Sequence, residues 1–298
     1  MNFIPLAHVK WFTDSASQIE GGFFMWHEPA LQVGIVVLLI LLGLAFALDH
    51  WAIKAPEKLE KWGKKNGEVL LWIAQILVGF SLIITALKGA ILAPHYAGPA
   101  SLAWLEGGVG LLLILNIAVN WAAAGLVVLY LSALFIAGPL EAMEYINMLG
   151  LAIFFLLQRA PKGHSLSQYR VHALPLLRIL TGAALIILAF TEKLLYPEQA
   201  ADLLNQFDLN FMKALGITIF SDRLFILAAG LAETLFGLIF IAGWVTRINT
   251  AALASFLIAS NLYFFWNGHY EEGWTELIGH LPVIATALLF IVHGKKIE

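Results

Sequence analysis

Apolar residues fill this chain in long runs, broken by short clusters of Gly, Pro and charge. A helix needs about 20 apolar residues to cross a bilayer. The pattern predicts nine such helices, near 31–49, 68–93, 101–117, 120–138, 142–158, 173–196, 223–243, 248–266 and 275–293. The expectation is an all-α integral membrane protein with about nine transmembrane helices, because a helix satisfies its own backbone in lipid. Residues 1–30 instead scatter Phe3, Leu6, Val9, Trp11, Phe12, Phe23, Phe24 and Trp26 among polar neighbours. They read as an interfacial lead-in or a tail packed on the bundle, and they lack the basic-then-apolar layout of a signal peptide.

The runs repeat. ILVGFSLIITALKGAILAP (76–94) aligns without gaps to ILTGAALIILAFTEKLLYP (179–197). Glu106 four before Gly110 answers Glu233 four before Gly237, and Glu144 answers Glu276. Each repeat holds four spans, an even number, so both enter the membrane in the same sense. The expected organisation is an N-terminal segment, first helix and basic linker (1–67), then a four-helix bundle over 68–158 and a parallel second one over 159–298. DLLNQFDLNFMKALG, within an extra loop near 198–222 of the second copy, reads as an amphipathic segment on the outer surface.

Charge sets the orientation. Lys54, Lys58, Lys61, Lys64, Lys65, Arg159, Lys162, Arg170, Arg247, Lys295 and Lys296 all fall on one side of a nine-span path. That side should be the cytoplasm, with the N-terminus outside. The expected location is a bacterial or archaeal plasma membrane. Composition agrees with a bilayer partner: 60% of residues are hydrophobic and 12% charged. No basic tract points to nucleic acid. The chain has no Cys, which removes disulfides, thiol redox chemistry and Cys-held clusters or haem. Walker, Rossmann and serine-elbow motifs do not occur.

The candidate chemistry lies in ionisable residues inside apolar runs, where each charge costs roughly 2.5–3.5 kcal/mol at a helix centre. Glu106 and Glu233 sit one turn before a Gly that admits a neighbouring helix, so both should point inward, as functional groups or as structural carboxylates. Lys88 reads as a snorkelling anchor. Glu192 and Lys193 are adjacent and point about 100° apart on an α-helix, so one of them should face headgroups. Glu276 and His280 share a face and suit a proton relay, or a pair that only anchors the helix end. These six, Glu106, Glu192, Lys193, Glu233, Glu276 and His280, are the candidate catalytic set. They fall with Glu144 toward the outer half of their spans, which predicts one or two cavities open to that side. Glu141, Glu144, His95, His269, Glu271 and Glu272 read as solvated loop charge, with no fixed spacing for a metal. Arg178 and Arg247 are anchors on the basic side or binders of an anionic headgroup or cofactor.

The second repeat resembles the DoxX/DoxD family of small four-helix membrane proteins. The resemblance rests on Leu177-Arg178-Ile179 with Gly182, Glu192-Lys193, Gly230-Leu231-Ala232-Glu233 with Gly237, and Gly243, Thr246 and Arg247. It covers about 173–293, with a weaker copy over 68–158. It implies a bundle tied to membrane redox chemistry, since family members include a subunit of a thiosulfate:quinone oxidoreductase. The function expected from it is a membrane subunit of a quinone-linked oxidoreductase, with quinone as cofactor, other membrane or periplasmic subunits as partners, and a small sulfur-containing or other anionic substrate at the outer face. The alternatives are a non-catalytic assembly subunit and a transporter of small solutes or metal ions.

Overall fold

The computed structural model describes residues 24, 27–51, 57–161 and 163–294. The interfacial lead-in expected over 1–30 lies outside them except for Phe24 and the residues from His27 on.

Among the described residues, seven helical runs are long and apolar enough to cross a membrane: Pro29–His50, Glu57–Leu87, Val119–Ile136, Ser165–Leu194, Asp222–Ala242, Thr246–Trp266 and Tyr270–His293. Two shorter apolar helices, Ala100–Ile114 and Ile146–Gln158, join them. The chain is therefore a helical, multi-pass membrane protein. In order the helices are α1 (Pro29–His50), α2 (Glu57–Leu87), α3 (Ala100–Ile114), α4 (Val119–Ile136), α5 (Pro139–Glu144), α6 (Ile146–Gln158), α7 (Arg170–Ala189), α8 (Pro197–Phe207), α9 (Phe211–Ala214), α10 (Asp222–Ala242), α11 (Thr246–Trp266) and α12 (Tyr270–His293). A hairpin of two short strands, β1 (Ala90–Ile91) and β2 (Ala93–Ala97), follows α2.

Several boundaries differ from the apolar pattern for local reasons. Helix is already present inside the expected basic linker, because α2 begins at Glu57 and kinks at Asn66 (φ −113°, ψ 17°). The run expected over 68–93 stops at Leu87, and Gly89 (φ +72°) and Leu92 (φ +61°) turn the chain into the hairpin. The run expected over 142–158 breaks at Tyr145, leaving the one-and-a-half-turn α5 before α6.

Packing is organised by two close crossings. Where α2 meets α3, a Cβ on Gly79 would lie 2.5 Å from Gly110 O and 2.9 Å from Ile114 Cγ1. Where α7 meets α10, a Cβ on Gly182 would lie 2.5 Å from Gly237 O and 2.9 Å from Ile241 Cγ1. Only Gly lets backbones approach so closely. Helix α6 packs on α7, and α12 packs on α2. Buried side chains from Leu70 through Phe290 join in one core.

α1 lies outside this bundle, against α10. It is fastened at both ends. Arg223 Nη2 donates to Glu28 Oε1 at 2.8 Å, and Val245 N donates to Asp49 Oδ1 at 2.9 Å. Arg159 pairs with Glu68, and Arg247 lies 3.6 Å from Glu60, so basic residues gather at one end of the bundle. Exposed Trp51, Trp62 and Trp121 ring that end, and exposed Trp104, Trp266 and Trp274 ring the other, as membrane interfaces favour.

Candidate functional site

At the end of the bundle away from the basic linker, α7 does not finish as an α-helix. Phe190–Leu194 forms a π-helical turn, a feature that recurs at functional sites. The wider turn reduces the angle between adjacent side chains. Glu192 and Lys193 therefore both line one cavity, contrary to the expectation that one would face headgroups. Their side chains are 1% and 12% exposed.

That cavity measures about 420 Å³, within the range of ligand pockets. Glu144, Glu192, Lys193, Glu233 and His280 line its polar wall, and the rest is mostly apolar, with Asn147, Thr181 and Ser260 interspersed. Lys193 Nζ lies 3.0 Å from Glu233 Oε1 and 3.7 Å from Glu192 Oε2. Glu233 reaches it because Gly237, one turn on, brings α10 against α7. Its second oxygen, Oε2, is buried without a hydrogen bond among the described residues. On α12, His280 Nδ1 lies 3.8 Å from Glu276 Oε1, as their four-residue spacing predicts. Glu276 is fully buried, and neither of its oxygens has a hydrogen bond among the described residues. It stands behind the cavity wall, where Glu192 and Lys193 are its charged neighbours. Glu233 and Glu192 thus lie against the Lys193 ammonium, with Glu144 and His280 elsewhere on the wall and Glu276 behind it.

The first bundle contributes as well. Glu144 ends α5, and the break at Tyr145 turns the chain there. Its carboxylate is 1% exposed and lines the cavity, which corrects the reading of Glu144 as solvated loop charge. Tyr96 packs edge-on against Tyr145 (5.3 Å), and its hydroxyl donates to Glu141 O at 2.8 Å. Burial, reinforced by Glu144, Glu141 and Glu192, pushes the Tyr96 phenol far above the ordinary tyrosine range. Tyr96 and Tyr145 were not legible as site residues. The alignment of Glu144 with Glu276 was the signal that could have promoted Glu144.

Helix α8 closes the end of the cavity away from the basic linker. α8 buries Pro197, Ala200, Leu203, Leu204 and Phe207, and Ala200, Leu203 and Leu204 line the cavity. The amphipathic segment expected near 198–222 is this cap, with its apolar face turned into the protein.

The remaining candidates lie elsewhere. Glu106 is fully buried, but both its oxygens accept the backbone N–H of Leu92, at 3.1 and 3.0 Å. It holds the hairpin in its left-handed turn and does not line the cavity. Arg178 is buried and donates to Phe240 O at the C-terminal end of α10, packed against Gly243 (φ +75°). Arg247 donates to Ile291 O and Val292 O, both at 3.0 Å, at the end of α12. Each guanidinium thus caps helix carbonyls and meets the negative end of a dipole. Neither lines the cavity. Lys88 Nζ reaches Thr275 Oγ1 at 3.5 Å. The His269 ring packs edge-on against Phe207 at 5.0 Å, Glu271 is exposed and Glu272 half-buried. The side chain of His95 falls outside the described part. No group of three His, Asp or Glu among the described residues is placed to hold a metal ion.

No protein-family model matches this chain, and it has no significant match among the curated proteins or the solved structures.

Proposed function

We propose that the chain is the membrane subunit of a quinone-linked oxidoreductase, built on a duplicated DoxX/DoxD-like bundle. The observation that carries this reading is the meeting of Lys193, Glu192, Glu233 and His280 on one wall of a cavity whose remaining lining is mostly aliphatic and aromatic. The residues fit a quinone: an apolar enclosure for a ring, an ammonium that can donate to a ring oxygen, and a buried carboxylate oxygen, Glu233 Oε2, with no hydrogen bond of its own. When bound, quinone would supply two-electron, two-proton redox chemistry.

On this reading Lys193 orients the polar head and Glu233 exchanges a proton with it. His280 on the wall and Glu276 behind it pass protons along α12. Crowded carboxylates in a low dielectric share protons as a set rather than one by one. The proposal does not extend to an anionic substrate, because Lys193 is already paired with Glu233 and Glu144 and Glu192 line the same cavity.

The matched crossings at Gly79–Gly110 and Gly182–Gly237 support a duplicated architecture. So does the exchange in which the last helix of each half packs on the first of the other. The halves then differ in use. Where the second half sets Glu233 against Lys193, the first sets Glu106 against a backbone N–H. On the proposed nine-helix path, with the basic end in the cytoplasm of a bacterial or archaeal cell and the N-terminus outside, the cavity lies toward the outer surface.

Quinone content of the purified protein, and quinone reduction in membranes where a partner subunit supplies the two electrons, compared between the wild type and Glu233→Gln, test the proposal. We expect quinone to co-purify and the rate to fall at least tenfold in the variant. An unchanged rate removes Glu233 from the chemistry, and a wild-type protein that neither binds nor reduces quinone removes the proposal.

A further inference from the structure

The cavity has an open flank between α10 and α11. These helices leave their connecting turn in contact, with Asn249 Nδ2 donating to Phe236 O at 3.0 Å. Toward the outer end the α8–α9 segment stands between them. Phe211 packs edge-on against Phe225 of α10 (5.2 Å), and Phe207 packs against Phe264 of α11 (5.9 Å). Tyr263 Oη donates to Asp208 O at 2.5 Å. Between these two closures Ala229 on α10 and Phe256, Ala259 and Ser260 on α11 all line the cavity. Phe256 and Ala259 are exposed. α11 packs chiefly on α12, and its contact with α10 is sparse.

In the first half α3 and α4 likewise meet near their connecting turn, where a Cβ on Gly125 would come within 2.6 Å of Val109 Cγ2. A buried hairpin, not a pair of helices, follows α2.

The depth of the opening decides what can use it. Ala229 and Phe256 lie well inside spanning helices, so the flank faces hydrocarbon. Of the four residues across it only Ser260 is polar, and its hydroxyl is turned back to Leu257 O at 2.9 Å. A water-borne solute would find no polar path here. An apolar chain would lose nothing by lying in it.

We propose that the α10–α11 gap is a lateral portal, through which a membrane-dissolved, single-tailed amphiphile enters from the bilayer. Its polar head reaches Lys193 and Glu233, and its tail remains between Ala229 and Ala259. The proposal rests on reading the cavity as a ligand site and names the class of ligand: lipid-soluble, with a polar head and one apolar tail.

The cysteine-free chain allows a direct test. Ala229→Cys and Ala259→Cys, each carrying a nitroxide in nanodiscs, are compared for collision with molecular oxygen and with a water-soluble nickel chelate. Oxygen access should dominate at both positions. Dominant access by the chelate would make the gap a wet vestibule and overturn the portal. Separately, Ala259→Trp should weaken binding of a quinone with a long isoprenoid tail at least tenfold and that of a tail-less quinone less than threefold. Equal losses for the two, or none for either, also overturn it. A wild-type protein that binds neither quinone sinks the quinone reading, and the nitroxide result then decides the portal by itself.

Discussion

Gly182→Ala would test whether the helix crossing sets the geometry of the acid–base cluster. The added carbon would lie 2.5 Å from Gly237 O, about 0.9 Å short of the 3.4 Å at which ordinary contact begins. The obstacle is backbone, so α7 and α10 must part. Overpacking of this kind costs about 1–3 kcal/mol. Lys193 continues the α7 run and Glu233 lies one turn from Gly237, so their 3.0 Å contact opens with the helices. A shift of that size takes it beyond hydrogen-bond range and forfeits about 1.5–3 kcal/mol of charge-assisted bonding. Gly79→Ala is the matched control, with the same 2.5 Å approach, to Gly110 O, but at a crossing remote from Lys193. Thermal unfolding in detergent should show comparable destabilisation of both variants. Quinone binding should fall tenfold or more only in Gly182→Ala. Equal binding losses in the two variants, or no loss of stability in either, would refute the link between crossing and site.

Other outcomes follow from single contacts. Lys193→Met strands carboxylates away from water and should cost about 3–5 kcal/mol in denaturant unfolding, while adding Glu233→Leu should recover much of the loss. Glu106→Ala leaves the buried Leu92 N–H without its acceptor and should cost about 1–3 kcal/mol, with Glu106→Gln milder, read by the same unfolding assay. Burial raises the Tyr96 phenol in the folded state, so its neutral form stabilises fully below the ordinary tyrosine range, near pH 10, and that contribution fades as pH rises beyond it. Tyr96→Phe should therefore lower the melting temperature slightly at neutral pH, through loss of the bond to Glu141 O, and flatten the further loss on going to about pH 11.

Much of the fold was readable because lipid enforces a simple rule: backbone polar groups must be satisfied within each span, so long apolar runs become helices. The rule loses force at the ends of spans. There the hairpin at 90–97, the break at Tyr145 and the π-turn at Phe190–Leu194 depend on tertiary contacts that hydropathy does not record. The same contacts decided the candidate site. Glu233, Glu276 and His280 were visible as charges where apolar residues were expected. Glu192 and Lys193 were visible too, but their convergence required a turn wider than α-helical. Glu144 was discounted as solvated charge on the outer turn of the first repeat, yet α5 ends with its side chain buried in the cavity wall. Glu106 and Arg178 gave the same signal of buried charge and proved to serve backbone groups, N–H in one case and carbonyl in the other.

On the proposed nine-helix path, the brevity of α3 has a consequence for the surrounding lipid. Fifteen helical residues reach only about 22 Å, short of the roughly 30 Å of a usual hydrocarbon layer. α3 turns Trp104, Leu105 and Leu111 outward, so acyl chains on that flank must shorten or tilt to meet it. The protein should carry a pinched annulus on one side and a full-thickness one beside α1. Thin membranes would relieve that asymmetry and thick ones would strain it, which makes acyl-chain length a control on its stability and its sorting.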